Sequence, residues 1–73
     1  MTERPMSVLE RGETASVSGV AGGASARRLA EIGFVPGATV EMLRGGDPCI
    51  VRLDRSRLSL GLALQHDVFV TNG

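Results

Sequence analysis

Between Arg28 and Val70 short apolar segments alternate with backbone-turning signals in one fixed order. The order begins with Arg28-Leu29-Ala30-Glu31-Ile32-Gly33-Phe34-Val35-Pro36-Gly37, followed by Val40-Glu41-Met42 and Gly46-Asp47-Pro48-Cys49-Ile50-Val51. Leu58-Ser59-Leu60-Gly61-Leu62-Ala63-Leu64 and Val68-Phe69-Val70 close it. Each piece places a backbone: a helix stop, a tight turn, a hairpin, a return strand. None carries the equipment of a catalyst, which points to a small module that works through its surface.

Thr14 to Gly19 alternates, with Ala15, Val17 and Gly19 on one side and Thr14, Ser16 and Ser18 on the other. A period of two marks a half-buried strand. Gly22-Gly23 breaks it, and Ser25 is placed to cap a helix over residues 25–32, with Leu29 and Ile32 on one face and Gly33 as its left-handed stop. Pro36-Gly37 suits a type II turn. Val40 and Met42, then Cys49, Val51 and Leu53, then Leu58 and Leu60, then Val68 and Val70 set out further short strands. Residues 61–66 fit one short helical turn between the last two. The pattern predicts an all-β fold, a small barrel of about five strands with one short helix inserted after the first strand. The expected core is Val17, Leu29, Ile32, Val40, Met42, Val51, Leu53, Leu60, Leu64, Val68 and Val70, with Phe34 and Phe69 outside it. Residues 1–6 read as a flexible tail and residues 7–73 as the domain.

A chain of 73 residues makes one domain, and one this small buries only about 60% of the surface its unfolded form exposes. Cys49 is the only cysteine, so no internal disulfide can help, which suits a reducing cytosol. No segment approaches the ~18 apolar residues of a membrane span, so neither direct membrane insertion nor secretion is expected, and the localisation reads as cytoplasmic. Eight arginines balance eight acidic residues, and lysine is absent. Zero net charge removes the non-specific attraction to phosphate that nucleic-acid binders use, and weak charge favours self-association, so a homodimer is an option.

Four signals in order resemble the FeoA family of bacterial ferrous iron uptake. They are Leu9-Glu10-Arg11-Gly12, the Arg28 to Gly37 block, Gly46-Asp47-Pro48, and Leu60 to Leu64, and the resemblance spans about Val8 to Val70. Two departures stand out: Cys49 lies where a plain aliphatic is common, and Gln65 where alanine is common. The resemblance implies an SH3-like barrel and a partnership with FeoB, the membrane permease with a cytosolic GTPase domain. It extends to the C-terminal SH3-like domain of DtxR-type iron-dependent repressors, and the short leading segment favours the free-standing family.

Candidate sites are few. Cys49 and His66 form one conceivable nucleophile–base pair, but Cys49 alternates with core residues, and buried cysteine is usually inert. The expectation is no enzyme, no catalytic residue and no bound cofactor. No segment has metal-ligand spacing, and one histidine cannot complete a site. A divalent metal (iron or zinc) would therefore sit on the surface, shared between chains through His66, Asp67, Asp47 or Glu41; the alternative is an isolated exposed histidine. Phe69 points outward by strand parity, and with Phe34 it is the candidate anchor for a partner or a second copy. Arg27 and Arg28 are a candidate polar rim, or a partner for Glu31 one turn on. The expected function is a small accessory or regulatory protein that docks on the cytosolic part of FeoB. The alternatives are a detached regulatory domain like the repressor C-terminus, or a small nucleic-acid-binding barrel, which neutral charge and scarce aromatics disfavour.

Overall fold

The computed structural model describes residues 2–72. Strand β1 (Arg4–Pro5) leads into a 3₁₀ turn (Met6–Val8), then β2 (Thr14–Val20) and helix α1 (Ala26–Ile32). Strands β3 (Thr39–Arg44), β4 (Cys49–Leu53) and β5 (Ser56–Leu60) form a meander, and helix α2 (Leu62–Gln65) delivers the chain to β6 (Val68–Thr71). All six strands lie in one sheet of order β1-β6-β2-β3-β4-β5, antiparallel at every pairing. The sheet has two ends, β1 and β5, so the barrel is open rather than closed.

Alternation predicts the strand interiors well. Val17, Val40, Met42, Cys49, Val51, Leu53, Leu60, Val68 and Val70 are all buried, while Leu64 is half-buried against them. One parity assignment fails inside β2. The register shifts between Val17 and Gly19, so Gly19 stands opposite Phe69 and Val20 opposite Val68. A bulge inserts one residue and reverses every later side chain. Gly19 therefore leaves the inner side and Val20 joins the core margin. Ser18 occupies the bulge, its buried hydroxyl oxygen without a hydrogen-bond partner among the described residues.

The end of α1 accounts for two further differences. Gly33, at φ 125°, donates its N–H to the carbonyl of Ala30 at 3.1 Å, and Phe34 donates to that of Leu29 at 3.0 Å. This pair of bonds is the Schellman arrangement, which brings the residue after the glycine back against the last helical turn. Phe34 thus becomes part of the core at 1% exposure, beside Leu29 at 0%, and Ile32 is left outside at 41%. The helix starts at Ala26, and the Ser25 side chain makes no capping hydrogen bond.

Residues 4–6 are part of the fold rather than a loose tail. Arg4 pairs with Val70 and Pro5 with Phe69 in the sheet, and Met6 is fully buried. Arg4 reaches the Glu13 carboxylate and donates to Asn72 Oδ1 at 2.6 Å. Two residues are too short a strand to show a period, which is why alternation misses it.

Glu13 also accepts the Glu10 backbone N–H at 2.9 Å, and this bond, with the Arg4 guanidinium second, holds its carboxyl below the ordinary carboxylate value. A carboxylate with a lower pKa folded than unfolded stabilises the fold above the unfolded value, and that contribution is lost as pH falls through the folded one. The melting temperature of the native chain should therefore exceed that of Glu13→Gln at about pH 7, and the gap should narrow as pH falls through and below the ordinary carboxylate range. A constant difference across that range would disprove the assignment.

Candidate partner-binding surfaces

Two of the three carboxylates proposed for a metal are occupied within the chain. Asp47, in the β3–β4 loop, accepts the backbone N–H of Leu62 at 3.0 Å and so tethers the start of α2. Glu41 on β3 accepts from Arg52 on β4 at 2.9 Å, a cross-strand pair fixed by the register. His66, just beyond α2, places Nδ1 3.0 Å from the Ser7 hydroxyl. Asp67 contributes its backbone carbonyl to Ala21 N–H at 2.7 Å. Among the described residues no three His, Cys, Asp or Glu side chains converge on one point.

The loop that carries Asp47 is secured by Gln65. This side chain is 1% exposed and donates from Nε2 to the carbonyls of Gly46 at 2.8 Å and Leu60 at 2.9 Å. The buried amide nitrogen is thereby paired, and one side chain joins the β3–β4 loop to the end of β5, which gives the polar residue at this position a physical reason.

Cys49 is fully buried on β4, and burial pushes its thiol up from the ordinary value. The thiolate is the reactive form, so this position opposes nucleophilic chemistry. His66 sits at the surface with Ser7, and Cys49 lies in the core. No pocket opens among the described residues.

What remains is the exterior of the sheet and its two caps. Phe69 is half-buried on β6, flanked in register by Pro5 and Gly19. Phe34, expected outside the core, lies within it and cannot serve as an exposed anchor. The apolar surface near it belongs to Ile32 at 41% and Val35 at 44% exposure. Arg27 and Arg28 are exposed on the same short helix, and Arg27 pairs with Glu31 at 3.6 Å. A second apolar spot comprises Val8 on the 3₁₀ turn and Leu62 on α2, two elements in contact. The alternation pattern carries no signal for Val8, and helical spacing with Leu29 predicts Ile32 inside, where the structure exposes it.

An open antiparallel sheet, with its helix after β2 and a short helical turn before β6, defines a small SH3-like domain. The FeoA domain model matches residues 4–72, and the chain belongs to the FeoA family. It is similar to an iron uptake regulatory protein (FeoA) at 30% identity and TM-score 0.86, over 97% of each chain. Similarity to the zinc-complexed FeoA of Stenotrophomonas maltophilia, described as an SH3 domain protein, is 33% over 92% of this chain and 88% of that one, with TM-score 0.84. A manganese-dependent transcriptional repressor shares the fold, at 18% identity and TM-score 0.88, over 97% of this chain and 42% of its own. No curated protein matches the chain.

Proposed function

We propose that this chain is a non-enzymatic, cytoplasmic accessory factor of ferrous iron uptake that acts by docking on the cytosolic part of the permease FeoB. Its membership of the FeoA family across nearly the whole chain carries this reading. The relative from Stenotrophomonas maltophilia is described as possibly acting as a ferrous iron transport activating factor. The build of the domain agrees: its one cysteine is buried, and the carboxylates of Asp47 and Glu41 hold a backbone and an arginine partner. Among the described residues no helix is long and apolar enough to cross a membrane.

Phe69 is the anchor in this reading, with the exposed α1 arginines, Arg27 and Arg28, as its polar rim. An aromatic ring on an outer sheet face offers large apolar area at low entropy cost. Phe69→Ser should weaken capture of the permease's cytosolic domain by about tenfold or more, while circular dichroism shows an unchanged fold. Wild-type permease binding and wild-type self-association by that variant would remove Phe69 from the interface. A GTPase assay of the permease domain with and without the native chain reads the consequence of docking, and absence of any binding would overturn the proposal itself.

For a divalent cation the residues of one copy do not fit. Asp47 and Glu41 are committed to Leu62 and Arg52, and His66 and Asp67 supply too few donors for a closed site. A cation on this chain would be held between copies, through His66 and Asp67.

A further inference from the structure

The two ends of the sheet are treated differently. At one end β1 has two residues, and one of them is Pro5, which lacks a backbone donor. At the other end β5 has five residues and no proline. Asp54 N–H donates to Thr39 at 2.8 Å, and Glu41 stands opposite Arg52, so the even-numbered residues of β4 bond to β3. The odd-numbered ones, Leu53, Val51 and Cys49, then bond to Ser56, Leu58 and Leu60 on β5. Antiparallel geometry leaves the backbone N–H and C=O groups of Arg57 and Ser59 pointing outward at the sheet edge.

The side chains along this edge alternate. Leu60 is buried and Leu58 half-buried on the core side, whereas Arg57 and Ser59 are exposed on the other. The meander from Thr39 to Leu60 carries four arginines, Arg44, Arg52, Arg55 and Arg57, against three acidic residues, Glu41, Asp47 and Asp54, and Arg52 is the one paired with Glu41. Arg55 and Arg57 are both exposed. A second copy would bring the same arginines to the same edge, which disfavours edge-to-edge pairing of like chains.

We propose that β5 is a pairing edge for an extended partner segment in which acidic and apolar residues alternate. Backbone groups of the segment bond to Arg57 and Ser59, its acidic side chains stand beside Arg57, and its apolar ones complete the burial of Leu58. The edge lies at the opposite end of the sheet order from the Phe69 neighbourhood. It does not depend on which protein supplies the segment, so failure here leaves permease docking standing.

The test is amide NMR of the full chain titrated with a blocked hexapeptide of alternating valine and aspartate, beside one of alternating valine and lysine. The aspartate peptide should shift β5 resonances and slow hydrogen exchange at Arg57 and Ser59, binding about tenfold more tightly than the lysine peptide. Arg57→Glu, a surface change, should reverse that preference. Ser59→Pro removes an outward donor that an edge strand can spare, and should abolish binding by both. The proposal is overturned if neither peptide perturbs β5, if both bind alike, or if Arg57→Glu leaves the preference unchanged. It is equally overturned if β5 resonances broaden with protein concentration alone, because the occupant is then a second copy.

Discussion

Gly33→Val is expected to destabilise the domain by about 3 kcal/mol, enough to lower the melting temperature by about 10–20 °C in a domain of this size. Two costs add at this position. Its φ of 125° lies where side-chain-bearing residues are strained. A Cβ there would also stand 3.2 Å from Leu53 Cδ2, and Leu53 is itself buried at 3% exposure. Gly37 separates the two costs. Its φ is 95° but nothing lies within 4 Å of an added Cβ, so Gly37→Val should cost only the backbone share, about 1–2 kcal/mol. Thermal unfolding of both variants decides the matter, and equal melting temperatures for Gly33→Val and the native chain would refute the packing at the helix stop.

Met6→Ala is expected to cost about 2–4 kcal/mol, the range for truncating a buried methionine. Met6 is 0% exposed and packs in the same core as Leu9, Val68 and Val70. Its neighbour Val8 is 51% exposed and serves as the control, with an expected change within about 0.5 kcal/mol. Urea unfolding should show a lowered midpoint and an unchanged slope for Met6→Ala, the signature of a stability change alone. A midpoint equal to that of the native chain would return residues 1–6 to the status of a tail.

How much was legible follows from where each signal lies. Strand interiors were readable because burial of one face imposes a period of two on Val40 and Met42, Cys49 to Leu53, and Val68 to Val70. The bulge at Ser18 was not, since nothing local marks the residue that a partner strand will skip. Phe34 was misplaced even though its signal was present: glycine at the helix stop followed by an apolar residue is the Schellman pattern, and that pattern buries the second residue. Ile32 was then displaced as a consequence. Among the candidate site residues, Arg27–Glu31 was readable because it lies within one helix. Asp47 with Leu62, Glu41 with Arg52 and His66 with Ser7 join residues from different elements, so their pairing exists only once the register is set.

The order of strands in the sheet also orders events in time. Strands β3, β4 and β5 are neighbours both in the chain and in the sheet, so their pairing needs only short loops to close. Strand β1 has β6 as its neighbour, and β6 separates it from β2. Until residues 68–71 are present the opening strand has nothing to bond to, one edge of β2 is bare, and Met6 has lost Val68 and Val70 from its surroundings. Long-range pairing of this kind is entropically late. The meander is thus a part that can be laid down as it is made, whereas the opening strand must wait for the last strand to arrive.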